Sequence, residues 1–262
     1  MSDEPITLSI EGGVAHVRLN ASARGNPMDL RFCEAFSRVA AACDETPGVR
    51  CVLMDAEGRF FGVGADLKTM NQDRQALQVF VKNATAALHS GLSRFARMDA
   101  PVVVAVHALA VGGFVSLSAM ADFCLAAESA SFYAGYTGIG LVCDAGGSTF
   151  LPRRVGSRRA AEFLLRNQTW DARTAHAHGL VSEVLPDATL RDEAWALARE
   201  LAAGPTRAFG EIRNLLLSSG LQPIEAQLEQ EARAMARVTR TDDAWHGICA
   251  VAARGQPVFN GR

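Results

Sequence analysis

The run Pro101-Val102-Val103-Val104-Ala105-Val106-His107-Ala108, continuing through Leu109-Ala110-Val111 into Gly112-Gly113, decides the fold class. A short extended segment with valine on both faces is covered on both sides, which is the pattern of a parallel sheet. The glycine pair then opens a helix, expected over 113–121, and Asp122 to Ala126 reads as another short strand. A strand that runs through a glycine turn into a helix and then a further strand is the right-handed crossover from which parallel sheets are built.

Working toward the N-terminus, the same order repeats. A long helix is expected over 71–97, preceded by the loop Glu57-Gly58-Arg59-Phe60-Phe61-Gly62-Val63-Gly64-Ala65-Asp66-Leu67 and by a strand over 49–54. Asn26-Pro27-Met28-Asp29 opens a helix over 28–43 with Phe32, Phe36, Val39 and Ala40 on one face, and Pro47-Gly48 ends it. Ile6 to Ile10 and Val14 to Leu19 alternate around a glycine turn and predict a hairpin. His16 falls in the polar, outward register of its strand and is given no role. Beyond about residue 145 the pattern is almost wholly helical, and only Leu180 to Val184 reads as a strand. The class is α/β, a sheet-based core followed by a helical C-terminal portion. From Pro223 onward, Leu228, Met235, Val238, Trp245 and Ile248 exceed what a small bundle can bury. They pack either on another subunit or back on the core.

Bulk properties bound the function. A chain of 262 residues holds one or two domains at about 150 residues each. No apolar run approaches the roughly 18 residues that span a bilayer, and Met1 to Pro5 lacks the basic and apolar regions of a secretory signal. A cytoplasmic enzyme is expected, with no membrane partner. Net charge is −2 with the signs interspersed, which argues against a nucleic-acid partner. Cys33, Cys43, Cys51, Cys124, Cys143 and Cys249 are scattered without a C-x-x-C pair and read as buried free thiols. His176 and His178 are two apart on a helix and point to different faces, and His246 stands alone, so no metal is expected.

Two glycine loops follow strands of one sheet, at Gly64-Ala65 and at Gly112-Gly113. Backbone N–H groups at such turns and helix starts are available to developing negative charge. Neither loop is a dinucleotide fingerprint or a phosphate loop, so nicotinamide and nucleotide triphosphate chemistry are set aside. A third glycine-rich stretch, Tyr133 to Ser148, carries one carboxylate, Asp144, which either caps the following helix or performs chemistry.

Gly64-Ala65-Asp66-Leu67, Pro101-Val102, Ala110-Val111-Gly112-Gly113, Ile139 to Gly147, Leu151-Pro152-Arg153 and Gly179-Leu180-Val181 occur in the order and spacing of the crotonase (enoyl-CoA hydratase/isomerase) superfamily, which the chain resembles over nearly its whole length. The resemblance implies a core of repeated ββα units over 1–200 and a helical trimerisation region over 201–262. It implies a homotrimer or dimer of trimers, and no cofactor beyond the coenzyme A of an acyl-CoA thioester substrate. Ala65 and Gly113 would supply the oxyanion-hole N–H groups, flanked by Gly64 and Gly112. Arg24, Leu67 and Lys68 match the coenzyme A contacts loosely. The two glutamates of the hydratases are replaced by Ser116 and Tyr136, and neither is a base near neutral pH. Phe114 interrupts the glycine run and is expected to reshape the acyl pocket. Asp144 stands where several isomerases of the superfamily carry their acid, and the pattern is most similar to the ring-epoxide and double-bond isomerases of phenylacetyl-CoA degradation. An acyl-CoA isomerase with Asp144 as proton shuttle is therefore expected. His89, Tyr136 and Asp144 also fall at spacings similar to the 4-chlorobenzoyl-CoA dehalogenases. Dehalogenase, hydrolase or hydratase activity thus stays open, as does a non-catalytic acyl-CoA-binding role.

Overall fold

The computed structural model describes residues 4–262. Strands β1 (Ile6–Glu11) and β2 (Val14–Leu19) form the expected hairpin, with Ile6 opposite Leu19. Helix α1 (Leu30–Glu45) begins two residues later than its sequence pattern because Asp29 caps it, accepting a hydrogen bond from the Phe32 N–H at 2.8 Å. Strand β3 (Cys51–Ala56) follows. The helix expected over 71–97 is broken into α2 (Leu67–Met70) and α3 (Leu77–Arg97). The Asp73 carboxylate takes the Gln75 and Ala76 N–H groups at 2.7 and 3.2 Å, a local turn that competes with helix continuation.

The chain then passes through β4 (Val102–Val106), β5 (Ala110–Val111), α4 (Gly113–Met120), β6 (Phe123–Ala127) and β7 (Ser131–Tyr133). It continues as α5 (Gly147–Val155), α6 (Ser157–Leu165), β8 (Thr169–Asp171), α7 (Ala172–Ala177), β9 (Glu183–Leu185) and α8 (Leu190–Ala202). Helices α9 (Thr206–Ser218), α10 (Ile224–Val238) and α11 (Asp242–Ala252) complete it.

The main sheet has the order β1-β2-β3-β4-β6-β9, parallel from β2 onward. Every residue of β4 is buried, as valine on both faces demands. Helix α8 lies across β3, β4 and β6, while α1 and α3 pack along one another. A second, three-stranded sheet, β5-β7-β8, was not anticipated. Its strands have two or three residues each, too few for alternation to register.

Two further expectations are corrected. His16 does not face solvent: its Nε2 lies 2.9 Å from an oxygen of Asp55, and its ring meets Trp195 of α8 edge-on. Cys143 is half-buried and Cys249 exposed, whereas Cys33, Cys43, Cys51 and Cys124 are buried thiols as expected. Among the described residues no helix is long and apolar enough to cross a membrane.

Helix α8 ends at Ala202, with Ala198 and Ala202 in the core. Beyond it, α9 is held by Arg213. The Arg213 guanidinium pairs with Asp122 at 2.7 Å and donates to the carbonyls of Phe95, Met98 and Ala100. Helix α10 leans on α9 through Arg237 and Glu211, leaving Leu228, Met235, Trp245 and Ile248 exposed. Arg213→Met strands Asp122 and those carbonyls beside an apolar side chain. It is expected to destabilise the fold by roughly 3 kcal/mol in urea unfolding, with Asp122→Asn in the same chain recovering part of the loss.

Candidate active site

Main-chain pairing fixes the first glycine loop. The Met28 N–H donates to the Gly64 carbonyl at 2.8 Å, and the Val111 N–H donates to the Gly62 carbonyl at 3.0 Å. Asn26 is fully buried, and its amide reaches the carbonyls of Phe60 and Phe61 at 3.3 and 3.1 Å. Gly64 has φ +80°, and a Cβ there would press on the Val111 carbonyl at 3.3 Å. The first loop therefore lies directly against the second. Among the described residues, neither the Ala65 nor the Gly113 N–H donates to a backbone acceptor. Gly113 opens α4, where unpaired N–H groups and the helix dipole both favour negative charge.

The Asp144 loop abuts Gly113: a Cβ at position 113 would stand 3.4 Å from the Ala145 methyl. Asp144 is not the cap of α5, whose first residue is Gly147 and whose start has no side-chain cap. Instead, the Tyr136 hydroxyl donates to Asp144 Oδ1 at 3.0 Å. The Asp144 carbonyl accepts from the Gly147 N–H at 2.8 Å and the Ser116 hydroxyl at 3.0 Å. Ala145 sits at φ +50°, a backbone state that costs an alanine on the order of 1–3 kcal/mol. Its N–H donates to His89 Nε2 at 3.2 Å. That bond takes the Nε2 lone pair and leaves the imidazole proton on Nδ1.

Burial raises the Asp144 carboxyl above the usual carboxylate range, against the opposing pull of the Tyr136 hydrogen bond. Burial and the neighbouring Asp144 charge push the Tyr136 phenol upward, so it stays a donor. His89 and Asp144 line a cavity of about 560 Å³ together with Leu92, Cys143, Phe150 and Leu217.

The remaining expected residues lie around this centre. Gly112 is buried under the Tyr136 ring. Leu67 and Lys68 are exposed on α2, whose cap is Asp66, and Arg24 pairs with Asp29 and approaches Asp66 at 3.8 Å. These three stand at the outer side of the first loop and line no part of the Asp144 cavity. Phe114 requires a correction. It is fully buried, edge-on to Phe32 and Phe61 and against Gly62, so it supports the first loop from behind and lines no acyl pocket. His107 donates from Nε2 to the Gly58 carbonyl at 2.8 Å, again a support of that loop. Asn26 and Ala145 were missed. Their signal is a positive φ at a non-glycine residue, which sequence alone does not display.

A family model described as enoyl-CoA hydratase/isomerase matches residues 9–262. The chain is 30% identical over 260 residues to 1,2-epoxyphenylacetyl-CoA isomerase of Escherichia coli, covering 99% of each. It is 30% identical to 4-chlorobenzoyl coenzyme A dehalogenase-1 of Arthrobacter, covering 88% of this chain and 84% of that one. Among solved structures, an enoyl-CoA hydratase from Bacillus anthracis superposes with a TM-score of 0.90 at 26% identity, over 98% of this chain and all of that one.

A carboxyl whose pKa is raised on folding binds its proton more tightly in the folded state. Its favourable contribution is present below the unfolded pKa and is lost as pH rises through the folded value. At neutral pH the ionised Asp144 is therefore a cost to stability. Asp144→Asn keeps an acceptor for Tyr136 and is expected to melt above wild type at pH 7, with the difference vanishing at about pH 3, below the ordinary aspartate pKa. Equal melting temperatures at both pH values would mean that the carboxylate is not destabilised by its site.

Proposed function

The chain belongs to the enoyl-CoA hydratase/isomerase family, and from that premise we propose that it is an acyl-CoA isomerase that moves a proton through a thioester enolate. The observation that carries this reading is the pair of unpaired N–H groups, Ala65 and Gly113, beside a loop whose one carboxylate is partly desolvated. The Asp144 carboxylate takes a proton from a carbon of the acyl group. The electron pair of the broken C–H bond moves into the thioester carbonyl, whose oxygen becomes anionic and accepts from Ala65 and Gly113. Asp144, now protonated, returns the proton to a different carbon, and the carbonyl re-forms with a shifted double bond. The raised pKa matches the task, since a base that must also act as acid works best nearer the operating pH.

Hydration needs a second acid–base group, and the two candidates are committed elsewhere. Ser116 donates to the Asp144 carbonyl, and Tyr136 donates to its carboxylate. His89 serves as a positioning residue, because its Nε2 already accepts from Ala145. That also weighs against a role for its Nε2 in activating water, as dehalogenation or hydrolysis requires. Arg24, Leu67 and Lys68 are the contacts for the coenzyme A portion. A ring-epoxide thioester and a 3-enoyl thioester are the substrate classes to try first. The exposed side of α10 and α11 is the surface of assembly into a trimer or dimer of trimers.

The decisive test is deuterium uptake from heavy water into an unreactive saturated acyl-CoA or phenylacetyl-CoA. Wild type is expected to exchange, Asp144→Asn to lose exchange by 10²-fold or more, about the contribution of a positioned base. His89→Ala is expected to lose roughly tenfold through misplacement of the loop. Exchange unchanged in Asp144→Asn would remove Asp144 from the role. Solution mass is expected at three or six times 27.9 kDa, and a monomeric mass would remove the assembly reading.

A further inference from the structure

Residues 25–28 meet the first glycine loop through both main chain and side chain. The Gly25 carbonyl accepts from the Val63 N–H at 3.0 Å, and the Met28 N–H donates to the Gly64 carbonyl at 2.8 Å. Between these two contacts the Asn26 side chain reaches the same loop. Its amide nitrogen lies 3.1, 3.3 and 3.5 Å from the carbonyl oxygens of Phe61, Phe60 and Glu57. An NH2 group has two hydrogens, so it serves the Phe61 and Phe60 carbonyls best. Turning the amide over would set Oδ1 against three carbonyl oxygens, so chemistry decides which atom faces the loop.

Apart from those donors, glycine would serve position 26 better. The residue is fully buried, and its Oδ1 has no hydrogen-bond partner among the described residues. A buried acceptor without a partner is destabilising. The backbone sits at φ +54°, directly after Gly25 at φ +79°. Asparagine tolerates that left-handed region better than most residues, but glycine adopts it freely. What the side chain contributes is the grip of its NH2 group on the loop.

That grip bears on the Ala65 donor through the planarity of the peptide unit. The Gly64 carbonyl and the Ala65 N–H belong to one plane and point in opposite directions, so the Met28 bond that holds the first also aims the second. The aim is kept only while residues 25–28 stay seated against the loop, and Asn26 lies between their two main-chain contacts. The Gly113 donor is set separately, by the start of α4.

We infer that Asn26 is a positioning residue for the thioester oxyanion: its amide seats residues 25–28 against loop 57–65 and so aims the Ala65 N–H. This rests on the enolate reading of the site.

The acidity of a bound β-keto thioester reads the oxyanion site directly. 3-Oxobutanoyl-CoA ionises to an enolate with its own ultraviolet band, and aimed donors lower the pH at which that band grows on the protein. Titrations compare wild type, Asn26→Gly, Asn26→Asp and Leu180→Ala. Leu180 is buried beside β9, the edge strand of the main sheet, and serves as the control for lost stability. Glycine keeps the left-handed backbone and removes the amide, while aspartate keeps the shape and replaces donors by acceptors. The two variants would therefore fail to fold for opposite reasons. Wild type is expected to hold the enolate pKa below that of the free thioester. Both Asn26 variants are expected to lose about one pH unit or more of that lowering, a tenfold loss of enolate stabilisation. In heavy-water exchange their kcat is expected to fall roughly tenfold to 10²-fold, the cost of a misplaced group, with KM within about threefold of wild type. Leu180→Ala is expected to melt earlier and leave the enolate pKa unchanged. An enolate pKa equal in wild type and Asn26→Gly, or one that Leu180→Ala moves as far, would overturn the inference. No lowering even in wild type would instead remove the enolate reading, and the inference with it.

Discussion

The hydrogen bonds on either side of the first glycine loop are the constraint on which the site depends. Met28 holds the Gly64 carbonyl and Val111 holds the Gly62 carbonyl, so the peptide units of this loop are fixed by neighbours on both sides. Once those carbonyls are tied, the Ala65 N–H is turned away from the protein's own acceptors. The Val111 bond also ties the loop to the turn into α4, where the Gly113 N–H is left over by helix geometry. Two donors are thus held in place by main chain rather than by side-chain rotamers. Donors fixed before the reaction need no reorganisation when negative charge develops.

The Asp144 loop follows a different logic: beside one main-chain bond, from the Gly147 N–H to the Asp144 carbonyl, it is held by side chains. A partly desolvated carboxylate and an alanine at positive φ are both unfavourable by themselves. The Tyr136 hydroxyl, the Ser116 hydroxyl and the His89 ring each contribute one hydrogen bond to the segment 144–145. A net gain of about 1 kcal/mol for each such bond is the right size to offset the strain without eliminating the cost of the buried charge. The loop is therefore a place where stability is given up for a carboxyl of raised proton affinity.

How much of this is legible in the sequence depends on the length scale of the signal. β4 and the helix after it are readable because five consecutive buried residues and a glycine pair leave little choice. The hairpin is readable from six-residue alternation on each side. The strands β5, β7 and β8 are not, because two or three residues carry no period and their pairing is decided by residues far away in the chain. Asp144 is legible as a carboxylate in a glycine-rich stretch, but capping and chemistry differ only in where Ala145 and Gly146 turn. His16 misleads for a related reason. Its strand register is polar, yet α8 covers that face of the sheet and Asp55 supplies the partner. Phe114 misleads likewise, because a bulky residue in a glycine run reads as a pocket wall until Gly62 is seen to make room for its ring.

The division between main-chain and side-chain control explains how one scaffold carries several reactions. Substitutions around Ala65 and Gly113 leave these two N–H groups in place so long as the loops keep their main-chain pairing. The Asp144 segment instead depends on a handful of side chains, His89, Ser116 and Tyr136, each bonded to a different group of residues 144–145. With acids at 116 and 136, such a scaffold could add and remove the protons of water. Here Ser116 donates to the Asp144 main-chain carbonyl and Tyr136 to its carboxylate. Relatives named for isomerisation, dehalogenation and hydration accordingly lie at similar identity to this chain. Overall identity reports the shared fold, while chemistry is decided by the few side chains of a site carried on it.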